Sequence, residues 1–245
     1  DLRDLEPSDV EGFDGVIHLG ALSNDPIGNL SEQWTEEINM NASVRLAELV
    51  KAAGTPRMLF SSSCIMYGMS ETALVDETSP LAPNTIYAES KVKAEQAISR
   101  LADENFGATF LRNGTVYGFS PRMRFDTVLN NFMGSAFTTG KVVVFSDGTP
   151  WRPVVHVEDV SNAFITLLEA PFDVVGNQAF NVGVDHVNSQ IGYLAEVAAK
   201  TVPGAVVEYK PEPGADQRTY KTDFSKIKRM VPDFRFEWTV EDGAR

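Results

Sequence analysis

The feature that most constrains the fold is an alternation of short apolar runs with helical segments in the first half of the chain. Three runs are typical of buried strands, 15–19, 57–61 and 108–112, and helical patterns over 39–53 and 87–104 separate them. Strands that alternate with helices form βαβ units, in which parallel strands are covered by helices on both faces. The sequence therefore predicts an α/β fold with a doubly wound parallel sheet.

A looser mixture of elements follows Gly118, and it predicts a second, smaller α/β region. The elements predicted there are helices over 127–138, 158–169 and 188–201, a strand over 142–145, and a surface loop over 208–216 that is rich in Pro and Gly. We expect residues 1–118 to form one domain and residues 119–245 to form mainly another. Segments at about 142–170 are expected to return to the first domain.

The composition excludes several classes of protein. Lys and Arg number 21 against 34 Asp and Glu, a net charge of −13, so the basic surface that nucleic acid or an anionic membrane needs is missing. No apolar run reaches the roughly 18 residues of a membrane helix, and no signal pattern opens the chain. Cys64 stands alone and the three His residues are scattered, so neither a disulfide nor a metal site is expected. We expect a cytoplasmic protein.

The strongest chemical signal is a Tyr and a Lys four residues apart at the start of a predicted helix. Tyr87 and Lys91 share one helix face, and a nearby ammonium favours the phenolate form that can act as a base. Upstream, Ser63 lies at the carboxyl end of a predicted parallel strand, where α/β sheets bind ligands. Taken alone, the pair is equally consistent with a solvated helix face, and the Ser run with turn chemistry.

Eight segments of the chain together resemble the extended short-chain dehydrogenase/reductases, in particular the NAD-dependent epimerase/dehydratase family that acts on nucleotide sugars. They fall in the family's order: Asp1–Asp4, Val16–Ala21, Asn39–Asn41, Phe60–Gly68, Tyr87–Lys91, Leu111–Gly118, Trp151–Asp159 and Asp223–Lys226. The resemblance runs nearly from end to end. It implies a Rossmann-type domain that binds NAD, followed by a smaller C-terminal substrate domain, with the first domain truncated at its N-terminus.

The resemblance also implies a catalytic trio and a cofactor site. The trio is Ser63, Tyr87 and Lys91. The residues implied along the cofactor are Asp1, Leu2, Leu19, Gly20, Ala21, Leu22, Asn41, Tyr87 and Lys91. The family's Gly-rich phosphate loop and the residue that reads the adenosine ribose would lie upstream of Asp1. We therefore expect residues 1–245 alone to bind NAD weakly or not at all and to show no turnover, and we expect an upstream segment to restore both. The choice between NAD and NADP stays open.

For the substrate, the resemblance implies a nucleotide sugar. Arg152, in Trp151-Arg-Pro153, matches the arginine that grips the nucleotide diphosphate, and a guanidinium fork suits that anion. The other candidate substrate residues are Asn113, Thr115, Asn130 and Arg218; Thr115 stands where many members have Asn, and a surface salt bridge is an equal alternative for Arg218. Family members often form homodimers through the helices that correspond here to 39–53 and 87–104, so the resemblance is consistent with a homodimer.

One departure from the family narrows the reaction. The 4,6-dehydratases carry an Asp-Glu pair after the catalytic Ser or Thr, whereas Cys64 and Ile65 follow Ser63 here. These side chains cannot supply the acid and base of that elimination, so the resemblance favours an NAD-dependent nucleotide-sugar epimerase. The alternatives are a nucleotide-ketosugar reductase or dehydrogenase of the same fold and, from another class, a non-catalytic dinucleotide-binding scaffold.

Overall fold

The computed structural model describes residues 1–23, 25–68, 74–183, 188–212 and 219–245, so Arg218 lies outside the described residues. The chain folds as two compact units. Unit 1 consists of Asp1–Tyr67, Pro80–Arg112 and Ala163–Phe180, and unit 2 consists of Gly68–Ser79, Asn113–Asn162 and Asn181–Arg245. The domain boundary predicted after Gly118 stays a prediction.

The helices and strands alternate through the first half of the chain and are more mixed in the second. The strands are β1 (Val16–His18), β2 (Arg57–Ser63), β3 (Gly107–Asn113), β4 (Thr115–Tyr117), β5 (Lys141–Val144), β6 (Trp151–His156), β7 (Ala179–Val182), β8 (Asn188–Gln190) and β9 (Val206–Tyr209). The helices are α1 (Asp25–Gly28), α2 (Glu32–Thr35), α3 (Ala42–Ala52), α4 (Ile86–Ser99), α5 (Val128–Thr139), α6 (Val157–Glu169), α7 (Phe172–Val175), α8 (Ile191–Thr201), α9 (Ser225–Met230) and α10 (Val240–Gly243). Among the described residues, none of these helices combines the length and apolar character needed to cross a bilayer.

Unit 1 contains β1, β2, most of β3 and the first half of β7, which belong to a four-stranded sheet of order β1-β2-β3-β7. Strands β1 and β2 are parallel neighbours, with Val16 opposite Met58 and His18 opposite Phe60. The unit's main apolar core includes Met58 and Phe60 of β2, Val50 of α3 and Ile98 of α4. A parallel strand that is buried under helices on both faces is apolar along its length. For this reason the three apolar runs predicted as strands correspond to β1, β2 and β3.

Two sequence-based element predictions were wrong at their ends. The helix predicted to continue to Glu104 ends at Ser99, because the Asp103 carboxylate accepts hydrogen bonds from the backbone amides of Asn105 and Phe106 and turns the chain towards β3. The helix predicted to begin at Asn188 begins at Ile191 instead. Residues Asn188–Gln190 pair with β6 as strand β8, an antiparallel contact that periodicity could not predict.

Unit 2 contains two small sheets. In one, β4 and β8 flank β6, with β4 parallel and β8 antiparallel to it; in the other, β5 and β9 run parallel. Strand β9 includes Glu208 and Tyr209, which the sequence had placed in a surface loop, and the last four residues of that predicted loop, 213–216, lie outside the described residues. Helices α5 and α8 supply apolar side chains such as Phe132 and Leu194 to the core of this unit.

Candidate active site

The carboxyl ends of β1 and β2 lie beside one another in unit 1, because the two strands are parallel neighbours. The last residue of β2 is Ser63, which is half-buried, and its Oγ accepts a hydrogen bond of 3.3 Å from the Ile65 amide. A short 3₁₀ turn, Cys64–Tyr67, follows at once. The structure therefore places Ser63 at the sheet edge where open α/β folds bind ligands.

Helix α4 presents Tyr87 in its first turn. The helix begins after Thr85, whose hydroxyl caps it by accepting a hydrogen bond from the Ala88 amide. The Tyr87 carbonyl accepts a hydrogen bond from Ser90 Oγ at 2.8 Å, and a Cβ placed on the buried Gly28 would lie 3.6 Å from the Tyr87 Cβ. The capped first turn and the contact with Gly28 hold the base of the tyrosine side chain, while the residue as a whole stays half-buried.

Lys91, one turn further along α4, is almost completely buried, with 3% of its surface exposed. Its Nζ donates a hydrogen bond to the Ser61 carbonyl at 2.8 Å, lies 4.6 Å from the centre of the Phe60 ring and 5.9 Å from the centre of the Tyr87 ring. Burial lowers the pKa of the Lys91 ammonium to about 8. The group is still mainly charged at pH 7, so a desolvated cation lies beside the Tyr87 ring.

His18, on β1, is a second buried titratable group near Lys91. Its Nε2 lies 2.8 Å from Ser43 Oγ, and its ring packs 5.6 Å from that of Phe60. Burial, reinforced by the positive charge of Lys91, lowers the pKa of His18 to about 4. The imidazole is therefore neutral at pH 7, and Lys91 is not opposed by a second cation from β1.

Asn39 is a residue of this site that the sequence reasoning did not select. It is fully buried in a π-helical segment, Glu36–Asn41, that leads into α3. Its side-chain amide accepts a hydrogen bond from the Leu22 amide at 2.7 Å and donates to the Leu22 carbonyl and to Ser90 Oγ. It thus connects the segment after β1 to α4, whereas Asn41, selected for the cofactor, is exposed. A π-helical turn often marks a functional site, but it leaves no sequence signal that could have separated the two Asn residues.

The remaining residues selected for the cofactor cluster at the end of β1. A Cβ on Gly20 would approach Leu2 Cδ1 to 2.8 Å, so a larger residue there would require the Leu2 side chain to shift. Asp1 accepts hydrogen bonds from Arg3, Leu19 is largely exposed, and Ala21 and Leu22 are half-buried. Small and apolar residues lie at the end of β1, and Ser63, Tyr87 and Lys91 supply two hydroxyls and an ammonium. An apolar surface with a few hydrogen-bond donors fits a dinucleotide.

In unit 2, Arg152 lies on β6 and is buried, with 8% of its surface exposed. Its Nη1 donates a hydrogen bond to the Trp151 carbonyl at 3.0 Å, and its Cζ lies 5.9 Å from the centre of the Tyr220 ring. Ser189 of β8 is opposite Arg152 in the antiparallel register, and its buried Oγ has no hydrogen-bond partner among the described residues. The sequence reasoning did not select Ser189, because the register that pairs it with Arg152 arises only in the folded sheet.

The other candidates of unit 2 have different surroundings. Asn113 is buried at the end of β3, and Thr115 is half-buried on β4, opposite Val154. Asn130 is buried on α5: its Oδ1 accepts a hydrogen bond from the Gly118 amide at 3.0 Å, and its Nδ2 donates to the Arg124 carbonyl at 2.8 Å. The Asn130 amide therefore holds the backbone between β4 and α5.

Comparison with known proteins found relatives that are named as UDP-sugar enzymes. UDP-glucose 4-epimerase of Bacillus subtilis is 28% identical over 213 residues, covering 79% of this chain and 62% of the relative. UDP-glucuronic acid decarboxylase 1 of Arabidopsis thaliana is 27% identical, covering 98% of this chain and 59% of the relative. This chain thus spans about three fifths of the length of either relative.

Among solved structures, MoeE5 in complex with UDP-glucuronic acid and NAD superimposes with a TM-score of 0.88 at 23% identity, covering 100% of this chain and 81% of MoeE5. This likeness confirms the Rossmann-type α/β fold. The model of the NAD dependent epimerase/dehydratase family matches residues 4–183, more than half of the chain. The chain belongs to the NAD-dependent epimerase/dehydratase family.

Proposed function

We propose that the protein is an NAD-dependent epimerase of a nucleotide sugar, which removes a hydride from one sugar carbon and returns it to the opposite face. The observation that carries the proposal is the buried Lys91 ammonium, 5.9 Å from the centre of the Tyr87 ring, on a helix packed beside the end of β2 where Ser63 lies. The relatives named UDP-glucose 4-epimerase support the same reaction class.

In this proposal Tyr87, as the phenolate, accepts the proton of a sugar hydroxyl and later returns it to the same oxygen. Ser63 donates a hydrogen bond to that oxygen and stabilises the charge that develops on it. Lys91 favours the phenolate of Tyr87, because its positive charge lies close and is shielded from water. A base whose pKa is lowered in this way can work near neutral pH.

The residues proposed to hold the cofactor are those at the end of β1, together with Tyr87 and Lys91. The Lys91 ammonium has protons left after its bond to the Ser61 carbonyl, and these can bind ribose hydroxyls. When bound, NAD supplies at its nicotinamide ring the acceptor for the sugar hydride and the donor that returns it. Asn39 contributes by fixing both backbone groups of Leu22, which keeps the segment after β1 in one conformation.

The surroundings of Cys64 support epimerisation over the 4,6-dehydratase reaction. Its buried thiol donates a hydrogen bond of 3.1 Å to the Arg112 carbonyl, so it has a structural role. Ile65 has no titratable group. The position after Ser63 therefore lacks the acid and base that the elimination needs.

For the substrate, we propose that Arg152 and Ser189 bind the nucleotide diphosphate. The oxygens of a phosphate match the fork of N–H groups on a guanidinium, and charge-assisted bonds of this kind are among the strong ones. Ser189 adds a hydroxyl that has no other hydrogen-bond partner among the described residues. Asn113, Thr115 and Arg218 stay predictions.

The test uses the intact protein, NAD and UDP-glucose that carries deuterium at C4 of the sugar. We expect UDP-galactose that retains the deuterium, with no net change of absorbance at 340 nm, because the hydride that leaves returns within the same site. Accumulation of reduced cofactor would instead identify a dehydrogenase. If no nucleotide sugar tried is converted and NAD still binds, the scaffold alternative replaces the proposal.

A further inference from the structure

A buried ion pair in unit 1 lies outside the trio but next to it. Glu95 follows Tyr87 and Lys91 on the same face of α4, since the three positions are four residues apart. Arg112, on β3, binds the Glu95 carboxylate through Nε, at 3.1 Å and 3.3 Å from the two oxygens, and through Nη2. Only 7% of Glu95 and 6% of Arg112 is exposed.

The pair contacts the segment that carries Ser63 at three points. Ser62 Oγ donates a hydrogen bond to Glu95 Oε2 at 2.9 Å. Beyond Ser63, the Cys64 thiol donates to the Arg112 carbonyl. Arg112 Nη1 donates to the Tyr67 hydroxyl at 3.0 Å, and the guanidinium Cζ lies 5.5 Å from the centre of that ring. Hydrogen bonds to Glu95 and Arg112 therefore hold the chain on both sides of Ser63.

Stability alone is a weak reason for such a pair. Moving two charges out of water costs several kcal/mol each, and apolar side chains of similar volume are often as stable. What the pair adds is direction, because a bidentate guanidinium–carboxylate bond has one preferred geometry. It ties the helix that carries Tyr87 and Lys91 to the strand end that carries Ser63.

Arg112 also neutralises the Glu95 carboxylate, which could otherwise pair with the Lys91 ammonium. A carboxylate four residues after a lysine on a helix lies within reach of its ammonium. In this structure the Glu95 carboxylate accepts hydrogen bonds from Arg112 and Ser62, whereas the Lys91 ammonium donates to the Ser61 carbonyl. Tyr87 on α4 and His18 on β1 are further titratable groups that face Lys91 in the described part of the chain.

We propose that Glu95 and Arg112 are positioning residues: they hold Ser63 in place relative to Tyr87 and Lys91, and they keep the Glu95 carboxylate away from the Lys91 ammonium. The inference rests on the proposed function in that it assigns the pair a task in the chemistry of the trio. Its main readout, the ionisation of Tyr87, can be measured without substrate.

The experiment measures the pKa of Tyr87 in the intact protein by titration with pH. At each pH, the ultraviolet absorbance at 295 nm of a variant is compared with that of the same variant carrying Tyr87→Phe, and the difference reports the Tyr87 phenolate. With Arg112→Gln, the freed carboxylate should raise the pKa of Tyr87, by at least about 0.5. With Glu95→Gln, the freed guanidinium should lower it. In the double variant the two effects should largely cancel. The control is Lys93→Ala: Lys93 lies on α4 too, and its exposed ion pair with Glu36 of the π-helical segment is lost, which should leave the pKa of Tyr87 unchanged.

Turnover per NAD-bound protein provides the second readout. We expect Arg112→Lys to keep the Tyr87 pKa, because the charge remains, and to lower kcat about tenfold, with little change in KM, because the fork that aligns the segment is lost. Unchanged Tyr87 pKa values in both Gln variants, together with unchanged kcat in Arg112→Lys, would show that the pair is only structural. Should Arg112→Gln fail to fold, the shift in Glu95→Gln decides the question. Shifts of the Tyr87 pKa in a protein that epimerises nothing would overturn the proposed function and leave this inference standing.

Discussion

Buried polar side chains have different partners in the two units. Near the end of β2 in unit 1 several bond to one another: Ser62 to Glu95, Glu95 to Arg112, and His18 to Ser43. Others there bond to backbone, as Lys91 does to Ser61 and Asn39 to Leu22. In unit 2 they bond to backbone: Asn130 to Gly118 and Arg124, Asp159 to the amides of Glu237 and Trp238, and Asn181 to the Asp223 carbonyl.

The difference follows from the connections in each unit. The segments between β4 and α5 and between α9 and α10 contain no helix or strand among the described residues, and their backbone groups need partners from side chains. In unit 1, the side chains of Ser62, Glu95 and Arg112 that bond to one another lie beside the chain segment that carries Ser63, so they can form part of a site. A polar residue of unit 2 that matches a family pattern is therefore weaker evidence for a ligand contact than one at the end of β2.

The largest effect is expected at Tyr87. Replacement by Phe removes the hydroxyl while leaving the ring beside Lys91, so NAD affinity should stay nearly constant and kcat should fall about 10²- to 10⁴-fold. Steady-state kinetics and calorimetric titration of NAD measure both. Turnover close to that of the wild type would show that the polar side chains of unit 1 are not a catalytic site.

The next effect concerns His18 and pH. The pKa of His18 is about 4 in the folded protein and about 6.5 in the unfolded chain, so the unfolded chain binds the proton more tightly. Its contribution to stability is therefore complete above pH 6.5 and is lost as the pH falls towards 4, by up to about 3 kcal/mol.

Hydrogen exchange of the β2 amides, followed from pH 6.5 to 4, measures this loss in the wild type and in His18→Asn. The variant should lose less stability over the same range. The matched control is Ser43→Ala, which removes the partner of His18 but leaves the imidazole buried, and it should keep the pH dependence. Equal pH dependence in wild type and His18→Asn would mean that His18 is not held neutral.

For Arg152 we expect an effect on substrate affinity. Arg152→Lys keeps the charge but loses the fork, and Arg152→Ala loses both, so affinity for the nucleotide sugar should fall stepwise, by about 1.5–3 kcal/mol in the Ala variant. NAD affinity should not change. The control is Arg124→Ala, which removes an exposed arginine bound to Asp126. Unchanged substrate affinity in Arg152→Ala would place the anion site elsewhere and sharpen the contrast between the units.

The smallest effect tests Asn130 against Asn131. Asn130→Ala leaves the Gly118 amide and the Arg124 carbonyl without this partner, which should cost about 1–2 kcal/mol and speed hydrogen exchange at Gly118. Asn131→Ala removes an exposed bond to the Phe125 carbonyl, and water can replace it. If Asn130→Ala instead raises KM with no change in stability, Asn130 contacts substrate as the resemblance implies.

The α/β order and the Tyr87–Lys91 pair could be predicted because both depend on local pattern. Buried parallel strands are apolar along their length, and a spacing of four residues puts two side chains on one helix face whatever surrounds the helix. Strand β8 could not be predicted, because its pairing with β6 lies between segments more than thirty residues apart. The π-helical segment that contains Asn39 was missed because a π turn leaves no signal in the sequence pattern.

The fold class and the family could be recognised from the sequence, and so could the candidate reactive groups, since these are residue types at fixed spacing along the chain. Only the tertiary structure decided their surroundings. In the folded protein Lys91 is buried beside Tyr87, and Glu95 of α4 pairs with Arg112 of β3. The Asn130 side-chain amide is hydrogen-bonded to backbone groups. Burial and hydrogen bonding set what a polar side chain can do, and both depend on residues that are distant in sequence and adjacent only after folding.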